Sequence, residues 1–200
     1  MRVVLLAGGK SKRMGTDKMF LPFHNMPLIQ WMIEKIIQSG FLITLISNAV
    51  NNQKIQNILP YPLRKQILVH EDVYPEKGPI GGIYSGLFYS LEPRVFVVAV
   101  DLPFFVPELM KDMERAFRND TLLIPQTEKG YEPLFAIYPK SSESVFLKMI
   151  KEDNLKISNS YKLVPTTFYT QNQISKFDPT YQSFININTR EDYEEIIRLG

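Results

Sequence analysis

A segment rich in glycine and basic residues near the start of the chain has the composition to bind phosphates. It runs from Leu6 to Lys18 and follows a predicted buried strand. Its glycines let backbone N–H groups approach a ligand closely and form an anion-binding concavity. Four basic side chains lie between Lys10 and Lys18. The segment therefore suits a nucleoside triphosphate with its metal ion or, on composition alone, a solvated basic loop that joins two elements.

The two common phosphate-binding motifs are absent from this segment. A P-loop needs glycine, four residues and then Gly-Lys-Ser/Thr, whereas Gly15 is followed here by Thr16 and Asp17. The Gly-x-Gly-x-x-Gly fingerprint of dinucleotide-binding folds does not occur either. The segment therefore matches neither of these nucleotide-site classes.

An aspartate stands at the end of the most apolar run in the chain. Val95–Val100 predicts a buried strand, and Asp101 follows it directly. Ligands of open α/β sheets bind at the carboxyl ends of strands, and carboxylate oxygens are suitable ligands for Mg²⁺. A magnesium ion there would bridge nucleotide phosphates and neutralise charge on a departing pyrophosphate. The alternative is that Asp101 caps a turn beside Pro103 or the helix near Pro107.

Short apolar runs that indicate buried strands alternate with segments of helical periodicity. Strands are predicted over Val3–Ala7, Leu42–Ser47, Gln66–His70, Val95–Val100, Thr121–Pro125, Leu134–Tyr138, Lys162–Tyr169 and Phe184–Asn188. Helices are predicted over Pro27–Ser39, Asn51–Ile58, Ile80–Leu91, Pro107–Phe117, Ser141–Glu152 and Thr189–Leu199, and loops over Asn154–Tyr161 and Thr170–Gln182. This order predicts an α/β fold: a three-layer, Rossmann-like α/β/α sandwich with a mixed, mainly parallel sheet.

Composition excludes several kinds of site and partner. The 200 residues contain no cysteine and two histidines, which excludes disulfides, thiolate metal sites and histidine-rich metal sites. Lys and Arg number 23 against 21 Asp and Glu, so the net charge of +2 gives no global attraction to nucleic acid or to a membrane. No apolar run approaches the length of a membrane-spanning helix, and the expected location is the cytoplasm.

The order of motifs along the chain resembles the molybdenum cofactor guanylyltransferase family, a branch of the nucleotide-diphospho-sugar transferase-like superfamily. The family signature is Leu-Ala-Gly-Gly, a basic stretch, Arg-Met-Gly and Asp-Lys, and it stands complete between Leu6 and Lys18. The resemblance covers nearly the whole chain. It continues through Leu21–Leu28, Asn48, Glu71-Asp72, Gly78–Gly82, Asp101–Pro103, Glu132-Pro133 and Ile187–Thr189.

The resemblance implies a nucleotide site in the first half of the chain. The implied nucleotide-binding residues are Leu6, Ala7, Gly8, Lys18, Asn48, Asp72 and Asp101. Lys18 and Asp101 are the expected catalytic residues, with Arg13 assisting at the β- and γ-phosphates, and Asp101 is the expected ligand of a Mg²⁺ cofactor. The segment Gly78–Gly82 resembles the guanine-type version of the nucleotide pocket.

Several of these positions have simpler interpretations from the residues alone. Without the resemblance, Asn48 is an ordinary turn starter and Asp72 an ordinary loop acid. Asn186 and Asn188 either orient a metal or phosphate or cap the last helix. The resemblance assigns no clear role to Glu132.

Two departures from the family pattern affect what the resemblance implies. The family usually has Gly-Lys-Pro-Leu where this chain has Asn25-Met26-Pro27-Leu28, so a role for that lysine does not carry over. The family often has two arginines in the region of Lys156; if they hold the pterin phosphate, this chain would use Lys156, Lys162 or another residue there.

These observations lead to one expected reaction and its alternatives. The protein would transfer GMP from GTP to the phosphate of molybdopterin, giving the guanine dinucleotide cofactor and pyrophosphate. The alternatives are a cytidylyl- or sugar-phosphate nucleotidyltransferase and a nucleotide-binding protein without turnover. Residues 1–200 would form one domain, with nucleotide bound by its N-terminal half and acceptor by its C-terminal half. Other cofactor-biosynthesis proteins could be further partners.

Overall fold

One central sheet organises the chain in the structure, a computed structural model that describes residues 1–8, 17–187, 189 and 191–194. Among these residues its eight strands are β1 (Arg2–Leu6), β4 (Leu42–Ser47), β5 (Ile67–Glu71), β6 (Arg94–Ala99), β7 (Leu122–Thr127), β8 (Gly130–Tyr131), β9 (Phe135–Pro139) and β10 (Thr166–Tyr169). The spatial order is β10-β7-β9-β6-β1-β4-β5, with β8 paired to β7. A separate two-stranded hairpin joins β2 (Pro22–Phe23) to β3 (Met26–Pro27).

Most strand pairs in the sheet are parallel. Strand β1 pairs in parallel with β4 and β6, β4 with β5, and β7 with β10. Only β9 and β8 run antiparallel to their neighbours within this sheet. The mixed, mainly parallel sheet predicted from the sequence is confirmed.

Both faces of the sheet are covered, which explains the continuous apolar runs in its strands. In β1 the side chains alternate: Val3 and Leu5 join the core on one face, and Val4 and Leu6 join the core on the other. All four are buried, with at most 7% of their surface exposed. A strand covered on both faces needs apolar residues at every position rather than at alternate ones.

Seven α-helices, each with both ends among the described residues, form the outer layers and the connections. They are α1 (Leu28–Gln38), α2 (Ala49–Ile58), α3 (Tyr61–Arg64), α4 (Pro79–Tyr89), α5 (Pro107–Ala116), α6 (Glu143–Lys151) and α7 (Gln171–Ile174). Helices α1 and α5 bury their apolar sides in the core that contains Val3, whereas α4 and α6 bury theirs in the core that contains Val4. In the described part of the chain, no helix is long and apolar enough to cross a membrane.

Helix α4 packs unusually close to β1 because of its glycines. A Cβ on Gly86 would lie 2.5 Å from Val4 Cγ1, and a Cβ on Gly82 would lie 3.0 Å from Leu6 Cδ2. Helix and strand can therefore approach only where these side chains are absent. This contact holds the start of α4 near the carboxyl end of β1.

The sequence predictions fail mainly in the C-terminal third. Phe184–Asn188 was expected to be a strand, but its described part, residues 184–187, contains none, and residues 182–184 form a 3-10 turn. Phe184 packs against Phe135 of β9, with ring centroids 5.5 Å apart, and β9 is already paired on both sides by β6 and β7, so no edge is free there for another strand. Asn188 lies outside the described residues.

Two predicted loops contain helical turns. Ile157–Lys162 forms a 3-10 helix, and the predicted strand after it begins only at Thr166. The loop predicted from Thr170 contains α7, whose first turn has a capping box formed by Thr170 and Gln173. Of the last predicted helix, residues 191–194 are helical, Thr189 and Asp192 exchange capping hydrogen bonds, and residues 195–200 lie outside the described residues.

The α4–β1 contact predicts a specific stability effect. Gly86→Ala should lower the free energy of unfolding by about 1–2 kcal/mol, because steric strain outweighs the higher helix propensity of alanine. Urea unfolding of the purified chain measures this. In a Val4→Ala background the same change should cost less, since the clashing methyl groups are gone. An equal loss in both backgrounds would show that the close approach is not its cause.

Candidate functional site

The carboxyl ends of four neighbouring parallel strands meet at one edge of the sheet. Hydrogen bonds beyond the strands hold this edge together: Ala7 N donates to Ile46 O (2.9 Å), and Val100 N donates to Leu6 O (3.0 Å). Ser47 Oγ, which is fully buried, donates to Ala7 O (3.2 Å). Residues that directly follow β1, β4, β5 and β6 are therefore brought together, as expected for a ligand site of an α/β sheet.

Lys18 and Asp101 form an ion pair at this edge. The Lys18 ammonium lies 3.1 Å from Asp101 Oδ2, although the two residues are 83 positions apart in the sequence. Lys18 begins a short 3-10 turn after the glycine-rich segment, and Asp101 follows β6. Both side chains are mostly buried, with 12% and 23% of their surfaces exposed. The two expected catalytic residues thus face one another.

The second carboxylate oxygen of Asp101 is available for a ligand. Asp101 Oδ1 is buried, and none of the described residues provides it with a hydrogen-bond partner. A buried carboxylate oxygen without a partner is unfavourable, so it has a strong tendency to bind a cation or a donor. Within the described residues, no three acidic or histidine side chains gather to hold a metal. Asp101 therefore fits a Mg²⁺ whose remaining ligands are phosphate oxygens and water, which is the usual coordination of this ion in phosphate sites.

The chain near its C-terminus closes one side of the Lys18–Asp101 pair. Ile187 N donates to the backbone oxygen of Asp101 (3.0 Å), and the Lys18 ammonium donates to Ile187 O. Ser183 Oγ accepts a hydrogen bond from Val106 N (2.9 Å) in the loop that follows Asp101. This segment was expected to be a strand, and the structure shows instead that it braces the Asp101 loop. Asn186 is exposed in this segment.

Asn48 and Asp72 both have local structural partners at this edge. Asn48 Oδ1 accepts from Asn51 N (2.8 Å) and so caps the N-terminus of α2. Asp72 Oδ1 accepts from Tyr74 N (2.9 Å) and from the Ser85 hydroxyl (2.7 Å). Asn48 and Asp72 thus make the local turn and capping contacts that the sequence alone suggested. The Asn48 amide nitrogen and Asp72 Oδ2 have no hydrogen bond to the described residues.

Ser85 is a site residue that the sequence analysis missed. It is fully buried in α4, and its hydroxyl also accepts from Val73 N (2.9 Å). Ser85 thereby joins α4 to the loop after β5. A serine inside an apolar helical segment is a weak signal, because such residues often bond their own helix, as Ser85 does with Gly81 O (2.9 Å).

The first loop is only partly described. Leu6 and Ala7 are buried at the end of β1, and Gly8 is exposed, with open space around its Cα where a Cβ would lie. Residues 9–16, which include Arg13, lie outside the described residues. The predictions for Arg13 and for the basic part of the loop therefore stay predictions.

The remaining candidates have no hydrogen bond or ion pair to Lys18 or Asp101 within the described part of the chain. Lys156 and Lys162 are exposed beside the 3-10 helix that precedes β10. Glu132 is half-buried between β8 and β9. His24 packs against Trp31, with ring centroids 4.4 Å apart, and His70 stacks on Tyr89 at 4.0 Å. Both histidines are thus in aromatic contacts.

Lys35 supports the Asp101 loop from the opposite side. Its ammonium donates to Pro103 O (3.0 Å) and lies 4.5 Å from the centre of the Phe105 ring. Burial lowers the Lys35 pKa to about 8, and the nearby Glu108 carboxylate opposes this shift. Lys35 lies within the helix predicted over Pro27–Ser39, and nothing in the local sequence marks its long-range contact with Pro103.

Comparison with known proteins agrees with this geometry. The family model of the MobA-like NTP transferase domain matches residues 3–160. The chain belongs to the MobA-like NTP transferase family. It is 34% identical to a probable molybdenum cofactor guanylyltransferase of Natranaerobius thermophilus over 96% of this chain and 92% of that protein. A protein of the same name from Clostridium perfringens is 32% identical over 97% of this chain and 94% of that one.

A solved structure supports the same relationship. The molybdopterin-guanine dinucleotide biosynthesis protein A of Archaeoglobus fulgidus is 28% identical and superposes with a TM-score of 0.82, over 100% of both chains. The family assignment and the fold together make this MobA-like chain a nucleotidyltransferase. The strand-end edge with Lys18 and Asp101 is its candidate active site.

Lys35 gives this MobA-like chain a testable pH dependence. In the unfolded chain Lys35 has its ordinary pKa near 10.5, whereas in the folded chain it is lowered to about 8. The unfolded state therefore binds more protons between these values, and stability conferred at this position rises as the pH increases from 8 toward 10.5. Urea unfolding at about pH 7.5 and about pH 9.5 tests this dependence. The free energy of unfolding of the unmodified chain, relative to that of Lys35→Met, should be larger at the higher pH.

An exposed lysine provides the control for this measurement. Lys151, at the end of α6, is exposed, so Lys151→Met should shift stability by the same small amount at each pH. If the difference in free energy of unfolding between the unmodified chain and Lys35→Met did not change with pH, the buried-lysine interpretation would be wrong.

Proposed function

We propose that this chain transfers GMP from GTP to the terminal phosphate of a molybdopterin-type acceptor and releases pyrophosphate. The relatives named guanylyltransferase and the solved molybdopterin-guanine dinucleotide protein support these substrates. The observation that carries the proposal is the Lys18–Asp101 pair, in which one buried Asp101 oxygen has no partner. It stands at the strand ends where an α/β sheet binds nucleotides.

The donor nucleotide would bind across the first half of the sheet edge. The exposed backbone of Gly8 and the chain before it would lie against the base and sugar, with the start of α4 opposite. The free amide of Asn48 and the free oxygen of Asp72 point to further polar contacts with the nucleotide, in addition to their structural contacts. Arg13 would add charge at the β- and γ-phosphates.

Lys18 and Asp101 would have different electrostatic roles, with Lys18 binding phosphate oxygens and Asp101 binding a cation. Without nucleotide, the Lys18 ammonium neutralises Asp101. Phosphate oxygens would compete for Lys18, and the carboxylate would then be free to hold a cation. Mg²⁺ bound there would neutralise charge on the nucleotide phosphates and on the departing pyrophosphate. Ile187 O and N keep both residues at the edge while this exchange of partners occurs.

The chemical step needs no covalent intermediate on the protein. An oxygen of the acceptor phosphate attacks the α-phosphorus in line, the new P–O bond forms, and the bond from the α-phosphorus to the bridging oxygen breaks. The pyrophosphate leaves with the electron pair of that bond. The acceptor phosphate is already ionised, so no strong general base is required. The contributions expected from this chain are positioning and charge stabilisation.

A panel of nucleotides tests the choice of donor. Thermal unfolding of the chain with Mg²⁺ should show the largest stabilisation by GTP, compared with CTP, UTP and ATP at equal concentration. A preference for CTP or UTP would instead indicate a cytidylyl- or sugar-phosphate nucleotidyltransferase. Tight GTP binding without pyrophosphate release in the presence of molybdopterin would indicate a nucleotide-binding protein without turnover.

Asp101→Asn should remove the metal-dependent activity while the fold remains. The amide keeps the size of the side chain and the backbone bond to Ile187 but loses the charge that holds a divalent cation. Pyrophosphate release should fall by about 100-fold or more, as for the loss of other charge-stabilising groups. The melting temperature without ligands should fall although the fold remains, because Asp101→Asn leaves the mostly buried Lys18 ammonium without its counter-ion.

Matched variants separate this role from a general charge effect. Lys18→Ala should mainly weaken the use of GTP, seen as a higher KM for GTP. Glu152→Gln removes an exposed carboxylate directly after α6 and should leave turnover unchanged. If Asp101→Asn released pyrophosphate as fast as Glu152→Gln, the proposed metal role of Asp101 would be wrong.

A further inference from the structure

Three aromatic rings form a cluster near the carboxyl ends of β7 and β10. Tyr131 stacks on Phe168 with ring centroids 4.7 Å apart and planes 26° apart. The Tyr161 ring meets the edge of Tyr131 at 5.4 Å. Tyr131 remains 44% exposed, so Phe168 and Tyr161 fix the orientation of a ring that solvent still reaches. A rigid, partly open aromatic face of this kind suits stacking by a planar ligand.

Two polar groups beside this cluster lack good partners. Tyr161 Oη is buried and has no hydrogen bond to any residue that the structure describes. The Glu132 carboxylate is half-buried, and its described hydrogen-bonding contact is a long one, 3.4 Å from Thr127 Oγ1. Burial raises the pKa of Glu132, and the Thr127 contact and Lys129 only partly offset this. Glu132 is also close enough to Tyr161 for its charge to help raise the tyrosine pKa.

These groups lie within reach of the Lys18–Asp101 pair. Ala99 N donates to Leu134 O (3.0 Å), so the segment that carries Glu132 runs beside the strand that ends near Asp101. Tyr131 pairs with Gln126 on β7, which is two strands from β6 in the sheet order. Two strand spacings amount to about 10 Å. A phosphate at Asp101 and a ring on Tyr131 can therefore belong to one small molecule.

We propose that Tyr131, Glu132 and Tyr161 form the subsite that binds the ring system of the acceptor. The inference rests on the proposed function, because it takes the acceptor to be a phosphorylated pterin. The ring stacks on Tyr131, and Glu132 accepts hydrogen bonds from the adjacent amino and ring N–H donors of the pterin. The Tyr161 hydroxyl donates to a ring oxygen or nitrogen. These residues set acceptor specificity and take no part in breaking or forming bonds.

The donor pattern of a pterin explains why a carboxylate suits this place. An exocyclic amine next to a ring N–H presents two parallel donors, which match the two oxygens of an ionised carboxylate. Binding of such donors favours the charged form of Glu132 and so lowers a pKa that burial has raised. A ring without paired donors would leave the half-buried carboxylate unsatisfied and would be rejected.

Steady-state kinetics with molybdopterin and GTP test the assignment. Tyr131→Ser and Glu132→Gln should each raise the KM for the acceptor by about tenfold or more, which corresponds to the loss of one stacking or charge-assisted contact. The KM for GTP should remain as in the unmodified chain. Tyr131→Phe keeps the ring and should retain a normal acceptor KM. An unchanged acceptor KM in Tyr131→Ser and Glu132→Gln would overturn the proposal.

A binding measurement separates this proposal from the proposed reaction. A free fluorescent pterin, 6-carboxypterin, should be quenched on stacking by the unmodified chain and by Tyr131→Phe, but far less by Tyr131→Ser. Tyr61→Ser alters an exposed tyrosine on α3 and serves as the control that should quench normally. Absence of quenching by the unmodified chain would overturn the subsite. Normal quenching together with a donor other than GTP would retain the subsite and refute guanylyl transfer.

Discussion

The ion pair between Lys18 and Asp101 is the interaction on which the proposed active site depends. It joins the turn after the first loop to the strand end of β6, and Ile187 brings the C-terminal part of the chain to the same point. A mostly buried carboxylate requires compensation by a positive charge. Lys18 supplies that charge in the free chain, and a bound cation can supply it once phosphates attract Lys18. The Lys18 ammonium would therefore neutralise Asp101 before the nucleotide binds and would interact with the phosphates afterwards.

The sheet supplies the rigidity that this exchange of partners requires. Parallel pairing of β5, β4, β1 and β6 brings their carboxyl ends to one edge, and hydrogen bonds beyond the strands fix the residues that follow. The Asp101 loop is further held by Lys35 from α1 and by Ser183 from the C-terminal part. Asp101 is thus positioned from both sides of the loop, so that its unpartnered oxygen keeps one direction, as an electrostatic site needs.

Sequence patterns predicted the parallel half of the fold because each buried strand there is a continuous apolar run bounded by turn residues. They failed at Phe184, where apolar residues alternate like a strand but the neighbouring β9 has no free edge. That information lies in the pairing of distant strands and cannot be seen locally. For the same reason the sequence indicated Asp101 and Lys18 but gave no sign of Lys35, whose partner lies 68 positions away. Asn48 shows a further limit, since a capping residue and a ligand-binding residue have the same local pattern.

The two halves of the candidate site differ in how they would recognise their ligands. The nucleotide half consists of parallel strand ends, where backbone groups and a few charged side chains suit phosphates. The proposed acceptor half comprises the short hairpin of β7 and β8 and the segment before β10, where Lys156 and Lys162 are exposed. An exposed lysine is a flexible point charge that cannot match the planar, bidentate grip of arginine. The fixed aromatic rings and the half-buried Glu132 carboxylate are better suited to orient the acceptor. We therefore expect this chain to recognise the acceptor more by its ring system than by its phosphate.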